Sequence, residues 1–228
     1  MSARTSVLQA AGTILAKELR TEFRTRELLN TTVVFVLMVL VLFSFTFDPT
    51  TEEARRYTPG LLWLAFLFAG SLMLHPSFLR EQANDTLQAL RTAPVDPFAI
   101  LLGKIAANFL FLSIAEWLLL PVFSVLYDVS ILRVLGELLL VFALGTLGLC
   151  VTGTVFSAIS AQARMRELLL PLLLLPVLTP VLIASVEATG SLLAREPSFS
   201  WTWVSILLCF DAIFLAASYL TFEYLAEE

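Results

Sequence analysis

The chain has 228 residues, 58% of them hydrophobic and 14% charged, with a net charge of −5 and a mean hydropathy of +0.88. Soluble domains run at about 45–50% apolar and about 25% charged, so a soluble domain of this size is excluded for want of polar surface. Disorder is excluded by the 18 Phe, since disordered chains are polar and poor in aromatics, and without a basic tract nucleic acid is not an expected partner.

Residues 1–30 carry five basic and three acidic residues and no apolar core, unlike a cleavable signal peptide. Within this cytoplasmic segment, 5–29 reads as an amphipathic helix. Leu8, Leu15, Leu19 and Phe23 recur at helical spacing, and Lys17, Arg20, Glu22, Arg24 and Arg26 face elsewhere. Glu22 and Arg26 form a favourable i,i+4 pair. Such a helix either lies in the membrane surface and leads the chain into the bilayer, or touches a partner.

A bilayer core of about 30 Å takes about 20 apolar residues in a helix. The charged residues divide the remainder into six runs of that kind, at approximately 31–47, 59–79, 100–126, 135–160, 167–187 and 199–223. They make a transmembrane domain over 31–225 with a tail at 226–228. The runs are apolar on every side and lack the alternation of a β-barrel, so the fold class is an all-α membrane protein. Lys and Arg divide ten to four in favour of the side that holds both termini, which puts both termini in the cytoplasm; Lys104 counts there as the far edge of a loop. Cys150 and Cys209 sit inside apolar runs and read as small apolar fillers.

The longest cytoplasmic connection, 80–98, reads REQANDTLQALRTAPVDPF. Asn84 or Asp85 is placed to cap a short helix with Leu87 and Leu90 on one face, and Pro94 and Pro97 stop it. It is either a docking helix for a soluble motor or a solvated linker. The fourth-to-fifth loop, SAQARMRE, is short and basic. The fifth span holds Pro171, Pro176 and Pro180, either a weak helix or a bent one that lines a pathway or hinges.

Ionisable groups inside a bilayer are expensive and are functional candidates by default. Glu116 lies near the middle of the third span and Asp211 near the middle of the sixth. Each is either buried against other helices or part of a proton-coupled pathway. Glu187, followed by Gly190, stands at the outer end of the fifth span and either opens an exit vestibule or ends the helix. His75 is the only histidine; it reads as a packing residue at the interface, with haem or metal ligation as the sharper alternative. No metal-site spacing, no HExxH, no GxSxG and no Walker A loop occurs. The chain is not expected to be an enzyme, and any ATPase that drives it must be another chain.

Five stretches carry a family likeness: ELRTEFRTRELLN (18–30), FSFTFDP (43–49), PGLLWLAFLFAG (59–70), SFLREQANDTLQALRTAPVDP (77–97) and RELLLPLLLLPVLTPVLIASVEATG (166–190). On these the chain resembles the haem exporter protein B family, permease subunits of the system I cytochrome c maturation transporter. The resemblance implies a six-helix permease of ABC-2-type architecture in the bacterial inner membrane. It implies a separate ATP-binding subunit (the A protein), a membrane haem-handling C protein, and haem as cargo with no permanently bound cofactor. The coupling loop then falls at 80–98, with Glu81, Asp85, Leu87, Leu90 and Arg91 as the candidate contacts to the ATPase. A second copy of the chain is expected, to match two ATPase subunits. An exporter permease of the same architecture with a drug, lipid or polysaccharide as cargo is the alternative.

Overall fold

The computed structural model describes residues 6–47, 51–74, 96–161, 166–194 and 196–227. They form seven α-helices: α1 (Val7–Thr25), α2 (Glu27–Thr46), α3 (Glu52–Leu74), α4 (Pro97–Leu126), α5 (Leu135–Ala161), α6 (Arg166–Leu193) and α7 (Trp201–Glu227), with a 3-10 turn at Leu132–Val134. Six, α2 to α7, are long and apolar enough to cross a membrane, so the all-α, six-span expectation holds. No strand occurs among the described residues. The helices alternate in direction. One end of the bundle therefore gathers α1, the end of α3 and the start of α4. The other gathers the α2–α3, α4–α5 and α6–α7 connections.

Lipid tails are as apolar as leucine, so spanning helices associate through close packing and hydrogen bonds and not through the hydrophobic effect. The helix that satisfies this requirement is α5. Its run GTLGLCVTGT supplies small residues and hydroxyls on every side, and α3, α4, α6 and α7 all pack against it. A Cβ on Gly145 would collide with the Trp63 ring of α3 and lie 2.6 Å from Ser185 Oγ of α6, and one on Gly153 would collide with Leu74 of α3. Around Gly145, Trp63, Phe66 and Phe142 meet edge to face at centroid distances of 5.4 to 5.9 Å. Trp63 Nε1 donates to Thr189 Oγ1 of α6 at 3.0 Å. The outer helix α2 leans on α3 and α4, and the Tyr127 hydroxyl after α4 donates to the Leu40 carbonyl of α2 at 3.0 Å.

Pro176 and Pro180 are exposed on α6, facing away from the interior. Helix α6 runs on to Leu193. Pro97 opens α4, with Asp96 Oδ1 accepting from Phe98 N at 2.9 Å as the N-cap; the short loop helix expected before it lies outside the described residues. Proline at the first helical position has no amide to lose and a φ already suited to the helix.

The same chemical change separates contact from conformation. Gly145→Ala should destabilise the purified protein in detergent by about 1–3 kcal/mol through overpacking. Gly12→Ala, where a Cβ meets nothing within 4 Å, should be neutral or stabilise by about 0.5–1 kcal/mol. Thermal unfolding of the two variants checks this.

Candidate functional site

The α1 end is built from charge. Helix α1 lies along the start of α4, and the approach is close enough that a Cβ on Gly103 would sit 2.8 Å from the Ala11 carbonyl and from Ile14 Cβ. The next residue, Lys104, is 1% exposed. Its Nζ lies 3.1 Å from Glu18 Oε1 of α1, and Lys17 Nζ lies 3.4 Å from the same oxygen. One turn on, Glu22 is buried and its Oε1 accepts from Leu29 N of α2 at 2.9 Å. The first amides of a helix have no intrahelical acceptor, and Arg26, the left-handed hinge with φ 55° between α1 and α2, offers no side-chain cap. Glu22 supplies the acceptor.

Two expectations are corrected here. The inward face of α1 holds Leu15 and Leu19, but Leu8 and Phe23 are exposed and Glu22 is buried. Lys104 is not the edge of a loop. It is a buried cation inside α4, which requires an anion beside it, and α1 brings that anion. Leu8, near the start of α1, and Phe23, near its end, are exposed, consistent with a helix seated between bundle and membrane surface.

The same end is tied to α5. Ser157 donates to the Leu74 carbonyl at 2.8 Å, holding the last turn of α3. Asn108 Nδ2 of α4 donates to Thr154 Oγ1 at 3.1 Å. Leu74 and Asp96 are the two described anchors of the intervening segment. His75, Glu81, Asp85, Leu87, Leu90 and Arg91 lie outside the described residues, and so does most of the 80–98 connection.

In mid-membrane, Glu116 is buried and accepts a hydrogen bond from Thr146 of α5. Asp211 is buried against Gly148, where a Cβ would lie 2.8 Å from its Oδ1. Neither Asp211 oxygen has a hydrogen-bond partner among the described residues, and the same holds for Thr152 and Ser185. Thr146 and Gly148 are two residues apart on a helix that turns about 100° per residue, so Glu116 and Asp211 sit on opposite sides of α5. The structure does not bring the two carboxyls together. Glu187 is exposed, and α6 continues past Gly190 to Leu193, so Glu187 does not end the helix. Cys150 is buried as a filler, whereas Cys209 is exposed on α7. Among the described residues no group of His, Cys, Asp and Glu could hold a metal ion.

The sequence pattern did not single out Lys104, Glu18, Ser157 or the glycines of α5 as site residues. The available signals were the Glu18–Glu22 i,i+4 spacing and the small-residue run of α5. Glu116→Leu leaves the Thr146 hydroxyl stranded and should cost about 1–3 kcal/mol. Glu116→Gln keeps an acceptor and should retain most of the stability. Unfolding in detergent distinguishes the two.

The model of the CcmB protein family matches residues 9–224. Heme exporter protein B of Pseudomonas aeruginosa is 32% identical over 185 residues, covering 81% of this chain and 82% of the relative. Heme exporter protein B of Rhodobacter capsulatus is 32% identical over 174 residues, covering 76% and 79%. That of Bradyrhizobium diazoefficiens is 28% identical over 167 residues, covering 73% and 75%. With a family match that spans nearly all seven helices, this multi-pass membrane chain belongs to the CcmB protein family.

Proposed function

We propose that the chain is the permease subunit of an ATP-binding cassette complex that exports or supplies haem for c-type cytochromes. The observation that carries this reading is the family match over residues 9–224, together with relatives named as heme exporters. The six spans arranged on α5 suit a transport subunit, and ATP hydrolysis is assigned to a separate ATP-binding chain. The reading makes the α1 end cytoplasmic, with both termini there, and places the complex in the bacterial inner membrane. Two copies of the chain meet two ATPase subunits, and a haem-handling membrane protein, the C protein, takes part on the opposite side.

In this reading the segment 80–98 receives the motor through Glu81, Asp85, Leu87, Leu90 and Arg91. Force that enters there reaches the bundle at its two ends, Leu74 and Asp96. Both ends are backed by polar bonds, Ser157 to Leu74 on one side and the Asp96 cap on the other. The Lys104–Glu18 pair joins α1 to the same movement.

Deletion of the gene should abolish covalently bound haem in membrane and periplasmic fractions, and the wild-type gene should restore it. Leu87→Asp and Leu90→Asp should insert in the membrane yet fail to restore it, each losing about 1–3 kcal/mol of docking energy and weakening copurification with the ATP-binding subunit. Unchanged c-type cytochromes in the deletion strain would reject the haem reading, and altered drug sensitivity in that strain would point to another cargo.

A further inference from the structure

The end of the bundle opposite α1 holds a cavity of about 280 Å³ between the start of α3, the α4–α5 connection and the end of α6. Its wall has two kinds of surface. Leu192 and Leu193 of α6, with Val129, form an apolar side. Thr58, Ser130, Asp128 and Arg133 form a polar side. Asp128 takes a left-handed backbone, φ 48°, and is already engaged within the chain, as is Thr58. Arg133 differs from both. It is exposed and makes no hydrogen bond or ion pair with any described residue. The 3-10 turn that carries it runs directly into α5.

We propose that this cavity binds a carboxylate carried on an apolar body, with Arg133 as its anchor. A guanidinium offers a planar fork of N–H donors that matches a carboxylate, while the leucine side removes the adjoining carbons from water. The cavity is too small for a whole tetrapyrrole. It suits a propionate-bearing edge of one, or the head and first carbons of a fatty acid. Both sources share the chemistry that Arg133 recognises. The assignment stands on the cavity wall and does not rest on the haem reading.

The test uses the full-length chain in lipid nanodiscs. Protoporphyrin IX is titrated by fluorescence anisotropy, against empty nanodiscs, with its dimethyl ester and palmitate as further probes. Arg133→Gln should weaken protoporphyrin IX binding about tenfold, the equivalent of about 1.4 kcal/mol and the lower end for a charged hydrogen bond. Arg133→Lys should recover part of the loss. The dimethyl ester should bind wild type no better than Arg133→Gln, a result that needs no folded variant. Displacement of the porphyrin by palmitate assigns the site to acyl carboxylates in general, and failure to displace assigns it to tetrapyrroles. Equal binding of acid and ester to wild type, or an Arg133→Gln variant that binds as wild type, would overturn the proposal. Neither result touches the deletion experiment, so the two readings fail separately.

Discussion

Everything in this bundle depends on how closely four helices can approach α5. In a bilayer no water is expelled when two apolar helices meet, so contact must come from packing and from hydrogen bonds. Helix α5 offers glycine where a neighbour is large, as at Gly145 against Trp63 and Gly153 against Leu74. It offers hydroxyls where a neighbour is polar, as at Thr146 toward Glu116, Thr154 toward Asn108 and Ser157 toward the Leu74 carbonyl. One helix thus solves two problems. It lets backbones come near, and it satisfies polar groups that lipid would leave stranded.

That arrangement separates the molecule into regions with different physics. Mid-membrane, the two carboxyls are held apart on opposite sides of α5, which argues against one shared conduit formed by Glu116 and Asp211. At the α1 end, ion pairing and capping draw on five helices: Lys104 of α4 with Glu18 of α1, Glu22 of α1 with the first turn of α2, and Ser157 of α5 with the last turn of α3. A buried cation with a single-chain anion beside it is costly to disturb. This makes α1 a part of the bundle, although Leu8 and Phe23 near its two ends stay exposed. At the far end, opposite α1, lies the cavity with Arg133.

The number of spans and the all-helical class were legible because hydrophobic length is a coarse and strong signal. The family likeness was legible in short stretches such as 18–30 and 166–190. Direction within a helix was harder. In α1 the spacing of Leu15 and Leu19 marked the face that packs on the bundle, but Glu22 was placed outside and is buried, because a rule that sends charge outward cannot see the partner that holds it inside. Lys104 was misread for the same reason. A charge marks the edge of a span only when it has no partner inside, and its partner was 86 residues away in sequence. Pro97 was read only as the end of the preceding segment; it is also the first residue of α4, a role that the Asp96 cap before it signals. The role of α5 was written in its glycines and threonines, but small residues carry no chemistry of their own, and their packing partners are distant in sequence.

The central claim is that α1 moves with the bundle through the Glu18–Lys104 pair and that transport needs this link. The direct test is a charge exchange, scored as covalently bound haem in a deletion strain that expresses each variant at equal membrane levels. Glu18→Lys and Lys104→Glu alone should each fail to restore c-type cytochromes, and the double exchange should restore them in large part. Full restoration by both single variants, or a double variant that inserts and folds yet restores nothing, would contradict the account.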